Sequence, residues 1–359
     1  MTAKYDVIVV GAGIIGLCSA TAIAKRGLKV ALVGQPRAGE ASAAAAGMLA
    51  PSVEKSSGPA HRFAVAARDF YPSYLEELAE ITGIRVPLNR LGVLQVALSS
   101  KGVAGLRKTA GPGSEWIDRD ALQLLEPTLG HALGAVLNSE DGAVDNVILL
   151  AALEELAKKT DHIERIAGCV EYINGHSDTV DLRFSAGEEM EGSYVVIAPG
   201  AWGAQIKGAP GLSSITPIRG QLVSYDAIGL RHVTYGPRGY LVPRTGGTII
   251  AGSTMEKVGF DAVTTPEGLS KVRSAAEEIA PGLALANVNA SWAGLRPVTP
   301  DMLPILGPDP SNPRVIYACG HSRNGILMAP LTGETVAELV TEEPVSHDLS
   351  QFHPARFSG

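Results

Sequence analysis

The segment Gly11-Ala12-Gly13-Ile14-Ile15-Gly16 decides the fold of this chain, because it fits the pattern G-x-G-x-x-G between two apolar runs. Tyr5–Val10 precedes it, and an alanine-rich stretch, Ile14–Lys25, leads to the second run, Val30–Val33. Apolar runs without alternation indicate strands that are buried on both faces. The sequence therefore predicts a strand, a helix and a second strand, which is how a parallel sheet begins.

Each glycine of this turn has a mechanical role in binding a dinucleotide. Gly11 makes the tight turn, Gly13 lets the backbone approach a pyrophosphate, and Gly16 allows the helix to pack closely on the strand. The N-terminus of the helix supplies positive potential for the phosphates. In this context the pattern predicts a dinucleotide site, and the alternative is a glycine loop that only caps the helix.

The same fingerprint includes an acidic residue about 20 positions further on, which hydrogen-bonds a ribose hydroxyl. In this chain the second strand ends in Gly34 instead. Gln35 or Arg37 could contact the ribose, although Arg37 is also typical of a bare surface arginine. We therefore expect adenosine to be bound more weakly or through a different anchor, and a ribose contact from another carboxylate would contradict this expectation.

Composition excludes several classes of protein. With 359 residues, 45% of them hydrophobic, the chain has enough apolar material for two domains. A net charge of −7 without a basic run argues against a nucleic-acid partner. The spacing of Cys18, Cys169 and Cys319 suits neither a disulfide framework nor a metal site, which favours a reducing, cytoplasmic setting. No apolar stretch is long enough for a membrane span, and a homo-oligomer is compatible with the sequence.

Two sequence patterns alternate along the chain, and they predict two interleaved domains. Apolar strands and helices such as 62–82, closed by Gly83, and 325–340 mark a nucleotide-binding domain made of residues 1–83, 146–208 and 292–359. Short strands broken by glycine and proline mark a mostly antiparallel β domain made of residues 84–145 and 209–291. The predicted fold class is thus α/β with an inserted β domain.

Further blocks follow the glycine turn in a distinctive order. They are Ser42–Pro51, Ala198-Pro199-Gly200-Ala201-Trp202, Tyr240-Leu241-Val242-Pro243-Arg244, Gly252–Met255, Trp292-Ala293-Gly294-Leu295-Arg296-Pro297 and Gly320-His321-Ser322-Arg323-Asn324-Gly325. Together they resemble the FAD-dependent D-amino acid oxidase family, and most closely the glycine oxidases of thiamine biosynthesis. The resemblance covers nearly the whole chain.

This resemblance implies a bound FAD in a Rossmann-like domain, with the interleaved β domain covering the substrate. The residues it assigns to FAD are Gly11, Gly13, Ile14, Ile15, Gly16, Ser42, Ala46, Gly47, Met48, Val170, Gly200, Trp202, Arg323, Asn324, Gly325 and Ile326. It implies no metal.

The resemblance also implies a substrate site with two arginines. Arg296 would grip the substrate carboxylate through two parallel N–H donors, and Tyr240 would donate its hydroxyl to the same group. Arg323 would assist or line the pocket, and Met48 and Met255 would lie near the flavin or the substrate. Taken singly, an arginine is more often part of a surface ion pair, a tyrosine such as Tyr240 would pack as a strand aromatic, and a methionine is more often core filler.

Considered one by one, several residues of these blocks favour a structural role. Arg244, Trp202 and Trp292 are expected to be structural, and Cys319 is expected to be a packed thiol. His321 is expected to be a satisfied turn histidine more than a chemical group. Ser322 stands where relatives commonly carry a bulky aromatic, which would widen the mouth of the site and favour a substrate other than glycine.

The implied reaction is the oxidation of an amine beside a carboxylate, as in glycine, sarcosine or a D-amino acid. A hydride passes from the α-carbon to the flavin, the imine hydrolyses, and dioxygen takes the electrons to give hydrogen peroxide. One alternative is a D-amino acid dehydrogenase with another electron acceptor. The other is a non-catalytic nucleotide-binding protein, which the departure at Gly34 leaves open.

Overall fold

A computed structural model describes residues 5–54, 57–111 and 113–357. Its first elements are β1 (Tyr5–Val10), α1 (Ile14–Lys25) and β2 (Val30–Val33), with the bounds that the sequence predicts. The strands β1 and β2 pair in parallel, with Val7 opposite Val30. The predicted start of a parallel sheet is confirmed.

The remaining helices and strands follow in chain order. The helices are α2 (Ala41–Ala44), α3 (Gly58–Thr82), α4 (Ser100–Arg107), α5 (Arg119–Leu125), α6 (Asn146–Lys159), α7 (Pro266–Ile279) and α8 (Gly325–Val340). The strands are β3 (Met48–Leu49), β4 (Leu88–Asn89), β5 (Val93–Val96), β6 (Ser114–Asp118), β7 (Gly134–Asn138), β8 (Gly142–Val144), β9 (Ile163–Ile166), β10 (Val170–Gly175), β11 (Val180–Phe184), β12 (Glu189–Ile197), β13 (Thr216–Asp226), β14 (Val233–Tyr235), β15 (Tyr240–Arg244), β16 (Thr248–Gly252), β17 (Val288–Val298), β18 (Ile305–Pro308) and β19 (Val315–Cys319).

The first sheet has eight strands and carries the glycine turn at its centre. The strand β1 lies between β2 and β12, and β2 continues to β9, all in parallel. The first part of β12 pairs with β11, and its last part pairs with β19. Helices α1, α3, α6 and α8 bury their apolar residues against one face of this sheet in one large core. The carboxyl end of β1 therefore opens directly into the glycine turn.

The second sheet also has eight strands, in the order β17-β13-β16-β15-β14-β5-β7-β6. Its neighbours run antiparallel except for β14 and β5, which run in parallel. A small third sheet joins β3, β8 and β4. The mixed α/β fold class is confirmed, whereas the residue ranges of the two domains stay a prediction. The strand β17 crosses the expected boundary at residue 292.

Two helices of the inserted region, α4 and α5, lie where we expected short strands and loops. Both begin at a side-chain cap, since Ser99 accepts from the amide of Gly102 and Asp118 accepts from that of Ala121. None of the helices in the described ranges combines the length and the apolar character that a bilayer crossing requires.

Candidate active site

One cavity of about 420 Å³ is lined by all of the predicted cofactor and substrate residues except Gly16. This volume lies within the range of small-molecule sites. The cavity begins at the glycine turn, passes between the two large sheets, and ends beside Tyr240 and Arg296. The structure thus brings together residues that lie far apart in sequence.

The glycine turn has the geometry that a close backbone approach requires. Gly11 has a φ of +110°, and a Cβ atom there would lie 2.1 Å from the carbonyl oxygen of Ala198. A Cβ atom on Gly16 would lie 1.7 Å from the carbonyl oxygen of Gly11. Gly16 therefore packs the helix on the turn, and the amide of Ile14, the first residue of that helix, donates to the Ser42 hydroxyl at 3.1 Å.

At Gly34, where the fingerprint has an acidic residue, Ala12 occupies the space that a side chain would need. A Cβ atom on Gly34 would lie 2.9 Å from the Cβ atom of Ala12. Glu40, six positions further along the chain, lines the same cavity, and its carboxylate accepts the amide of Arg37 at 2.9 Å. Glu40 is therefore the acidic residue that lines the cavity near the glycine turn.

Arg37 also lines the cavity and does not stand as a bare surface arginine. Its guanidinium carbon lies 5.1 Å from the centre of the Trp202 ring, which stacks on Phe260. The same guanidinium donates to Gln205 at 3.3 Å and lies 2.5 Å from the sulfur of Cys169. This cluster gives the cavity one flat, cationic wall.

Arg296 is held at the other end of the cavity by neutral groups. Its Nη2 donates to Ser253 at 2.5 Å, and its Nη1 donates to the carbonyl of Thr254 at 3.2 Å. Among the described residues no carboxylate is in ion-pair contact with Arg296. Its charge is therefore available to a ligand anion.

Two tyrosines line the same cavity as Arg296. Tyr240 on β15 and Tyr235 on β14 have their ring centres 5.7 Å apart, and both line the cavity. Burial raises the pKa of Tyr235, so its hydroxyl stays protonated. Met255 also lines the cavity, although its side chain is more than half exposed.

Arg323 differs from Arg296 because it already has an anionic partner. Its Nη2 forms an ion pair with the carboxylate of Glu54, 269 positions earlier in the chain. Burial raises the pKa of Glu54, and the charge of Arg323 opposes that shift in part. Within the described residues, Arg296 is therefore a cation without an ion-pair partner, whereas Arg323 is neutralised by Glu54.

The turn between β19 and α8 completes the cavity. Burial lowers the pKa of His321 to about 3, so its ring is neutral, and its Nε2 lies 3.2 Å from the Thr332 hydroxyl. Burial raises the pKa of Cys319 to about 12, so it stays a thiol. Ser322 has a φ of +51°, and no described residue forms a hydrogen bond with its buried hydroxyl.

These features fit a dinucleotide cofactor. The bare glycine backbone and the helix N-terminus form a cradle for phosphates. Across the described parts of the chain, no cluster of His, Cys, Asp or Glu side chains has metal-binding geometry.

Sequence reasoning missed several residues of this site. Glu54 had no motif to mark it, and neither did Glu40 or Tyr235. Ser253 lies inside the quoted block Gly252–Met255, but only the folded chain shows that it holds Arg296. Gly220 had a usable signal, since glycine inside a strand indicates the close approach of another group.

Comparison with known proteins gives one family. The family model described as DAO, FAD dependent oxidoreductase, matches residues 6–339. A glycine oxidase of Geobacillus kaustophilus is 35% identical, and the alignment covers 100% of this chain and 99% of that protein. The crystal structure of glycine oxidase from Geobacillus kaustophilus superposes with a TM-score of 0.93 and 34% identity, covering 100% of both chains.

Longer relatives also match over nearly the whole chain. The bifunctional protein ThiO/ThiG of Synechocystis sp. is 31% identical over 99% of this chain. The chain spans only 55% of the length of that relative.

Proposed function

The chain belongs to the DAO family of FAD-dependent oxidoreductases, and from this premise we propose that it oxidises a small amino acid or related amine with dioxygen. The substrate class is that of glycine, sarcosine and D-amino acids. One observation carries the proposal: among the residues that the structure describes, Arg296 has no ion-pair partner, and it lies at one end of a cavity whose other end is a dinucleotide cradle.

When bound, FAD would supply the acceptor for a hydride from the substrate α-carbon, and dioxygen would take up the two electrons as hydrogen peroxide. The substrate loses that hydride and an amine proton and becomes an imine. Water then hydrolyses the imine to an oxo acid and ammonia, or to an oxo acid and the free amine.

The residues of the chain bind and orient the substrate. The guanidinium of Arg296 takes the substrate carboxylate in a bidentate pair, and the Tyr240 hydroxyl donates to the same group. Ser253 fixes the guanidinium, so the carboxylate and the α-carbon are held in one orientation. The ion pair of Arg323 with Glu54 leaves Arg296 as the anchor for a single carboxylate.

We extend the proposal to setting and pathway. Cys18, Cys169 and Cys319 form no disulfide in the described structure, which is compatible with the cytoplasm. Thiamine biosynthesis is the pathway that the resemblance suggests, and a homo-oligomer remains a prediction.

The proposal is tested on purified protein reconstituted with FAD. Glycine, sarcosine, D-alanine and a bulky D-amino acid are added without oxygen, and the flavin absorbance is followed before air is admitted. We expect one of these amines to bleach the flavin band, and peroxide to appear in air. A band that no amine bleaches would contradict the proposal, and bleached flavin that air reoxidises slowly would favour a dehydrogenase.

A further inference from the structure

Residues 41–48, which we call the wall segment, separate the main cavity from a second one. Ala46, Gly47 and Met48 line the main cavity, whereas Ala43 lines a second cavity of about 690 Å³. Ala44 and Ala45 line both cavities. The wall segment is therefore a thin partition between the two cavities. Contacts from the side of the second cavity can fix the conformation that its backbone presents to a ligand in the main cavity.

Arg244 fixes one end of the wall segment from the side of the second cavity. Its Nη2 donates to the carbonyl of Ala46 at 3.1 Å and to the Oδ1 of Asn146 at 2.6 Å. Its Nη1 donates to the carbonyl of Val144 at 2.7 Å. Gly47 fits tightly between these groups, because a Cβ atom there would lie 2.0 Å from the oxygen of Val144.

Asn146 and Trp292 hold the rest of the wall segment in the same way. The Nδ2 of Asn146 donates to the carbonyls of Ser42 and Ala43 at 2.8 Å and 3.3 Å. The Nε1 of Trp292 donates to the carbonyl of Ala44 at 3.0 Å. Asn146, Trp292 and Arg244 all line the second cavity. The carbonyls of the wall segment are thus turned away from the main cavity.

The surroundings of Arg244 are unusual for an arginine with only a structural role. Its guanidinium is largely buried, its three partners are neutral oxygens, and burial lowers its pKa while the charge of Asp145 opposes the shift. Burying a charge is costly unless its hydrogen bonds are satisfied. Removing the guanidinium would leave the oxygens of Ala46, Val144 and Asn146 without this donor.

We propose that Arg244 is a positioning residue for the cofactor. Its guanidinium turns the Ala46 carbonyl away from the main cavity and so sets the position of Ala46, Gly47 and Met48 against FAD. The inference rests on the proposed occupancy of the main cavity by FAD, and it assigns Arg244 a role beyond that of a structural arginine.

The test compares R244M, R244K and the control R26M as purified apoproteins titrated with FAD. Arg26 pairs with Glu334 and Glu343 at the far end of α1 from the glycine turn. We expect R244M to bind FAD about tenfold more weakly, with displaced flavin absorbance bands, because buried acceptors lose their donor. R244K should show an intermediate effect, since lysine keeps the charge and part of the bonds. R26M should lower Tm and leave both FAD readouts unchanged.

Two outcomes would overturn the inference. R244M could bind FAD as R26M does, with an unchanged flavin spectrum. Where R244M does not accumulate as folded protein, N146A takes its place, since it removes the donor to Ser42 and Ala43, and unchanged FAD binding would again overturn the inference. If the wild-type protein does not bind FAD, the proposed function itself is contradicted. That result is distinct from the comparison of the variants, which tests Arg244 alone.

Discussion

Gly220 lies against the guanidinium of Arg296, and a Cβ atom on Gly220 would lie only 2.1 Å from Nη1. The two residues belong to the paired strands β13 and β17, in which Ile218 is the direct partner of Arg296. A glycine at this diagonal position gives the guanidinium room to lie along the sheet and reach Ser253. The orientation of the proposed substrate anchor therefore depends on a missing side chain.

The variant G220A should displace Arg296 without unfolding the protein. The obstructed atoms are the end of a flexible side chain, so the guanidinium shifts and the backbone stays. We expect kcat/KM for the substrate to fall about 100-fold, because a misplacement of about 1 Å has effects of that size. FAD content should not change. The control is G105A, since a Cβ at Gly105 would meet no described atom within 4 Å apart from its chain neighbours and the backbone of its own helix; equal kinetics in both variants would refute the account of Gly220.

Restoring the acidic residue of the dinucleotide fingerprint should weaken FAD binding. In G34E the new Cβ atom would meet the Cβ of Ala12 at 2.9 Å and push the glycine turn out of place. We expect the Kd for FAD, measured by fluorescence titration, to rise about tenfold. The double variant A12G/G34E removes the methyl group but leaves the backbone nitrogen of residue 12, which lies 3.0 Å from the new Cβ atom, so it should regain only part of the lost affinity. Tighter binding by G34E alone would show that the space at Gly34 is open.

The size of the residue at 322 should set the preferred substrate. Ser322 lines the cavity, and its small side chain leaves room for amines larger than glycine. We expect S322Y to lower kcat/KM for D-phenylalanine about tenfold relative to glycine, because a tyrosine ring fills that space. S322G is the matched control, since it removes the strained φ of +51° without adding bulk. A wild-type preference for glycine that S322Y leaves unchanged would contradict this prediction.

His321 should make stability depend on pH. Burial lowers its pKa to about 3 from the ordinary 6.5. Between these values the unfolded chain binds a proton that the folded chain does not, so stability falls as the pH drops below 6.5. The limiting slope for one such group is about 1.4 kcal/mol per pH unit. Urea unfolding of wild type and H321N at pH 7 and pH 5 measures this loss, which H321N should lack. Equal losses in both proteins would show that His321 titrates freely when folded.

Local patterns predicted the elements whose sequence signals are strong. The strand β1 and the helix α8 have the expected bounds, because apolar spacing acts within a few positions. The strand β13 contains Pro217 and Gly220, which lower β-propensity, and its pairing with β16 and β17 overrides that. The helix α4 was missed because Gly102 and Gly105 weaken its helical pattern.

The site was predictable as a set of blocks but not as a set of contacts. The resemblance predicted that Arg296, Tyr240 and Arg323 share one pocket. In the structure all three line the main cavity. It gave no means of telling the free arginine from the paired one. The partner of Arg323 is Glu54, and a single sequence contains no signal that joins residues 269 positions apart.

The most direct test of the account is anaerobic titration of FAD-loaded wild type and R296M with the best amine substrate, followed by flavin absorbance. We expect the wild-type flavin to be reduced at low amine concentration and to give peroxide in air. The flavin of R296M should require an amine concentration at least about 100-fold higher for reduction, because the bidentate partner of the carboxylate is gone. Equal titration curves would contradict the central claim that Arg296 anchors the carboxylate. A wild-type flavin that no amine reduces would contradict amine oxidation altogether.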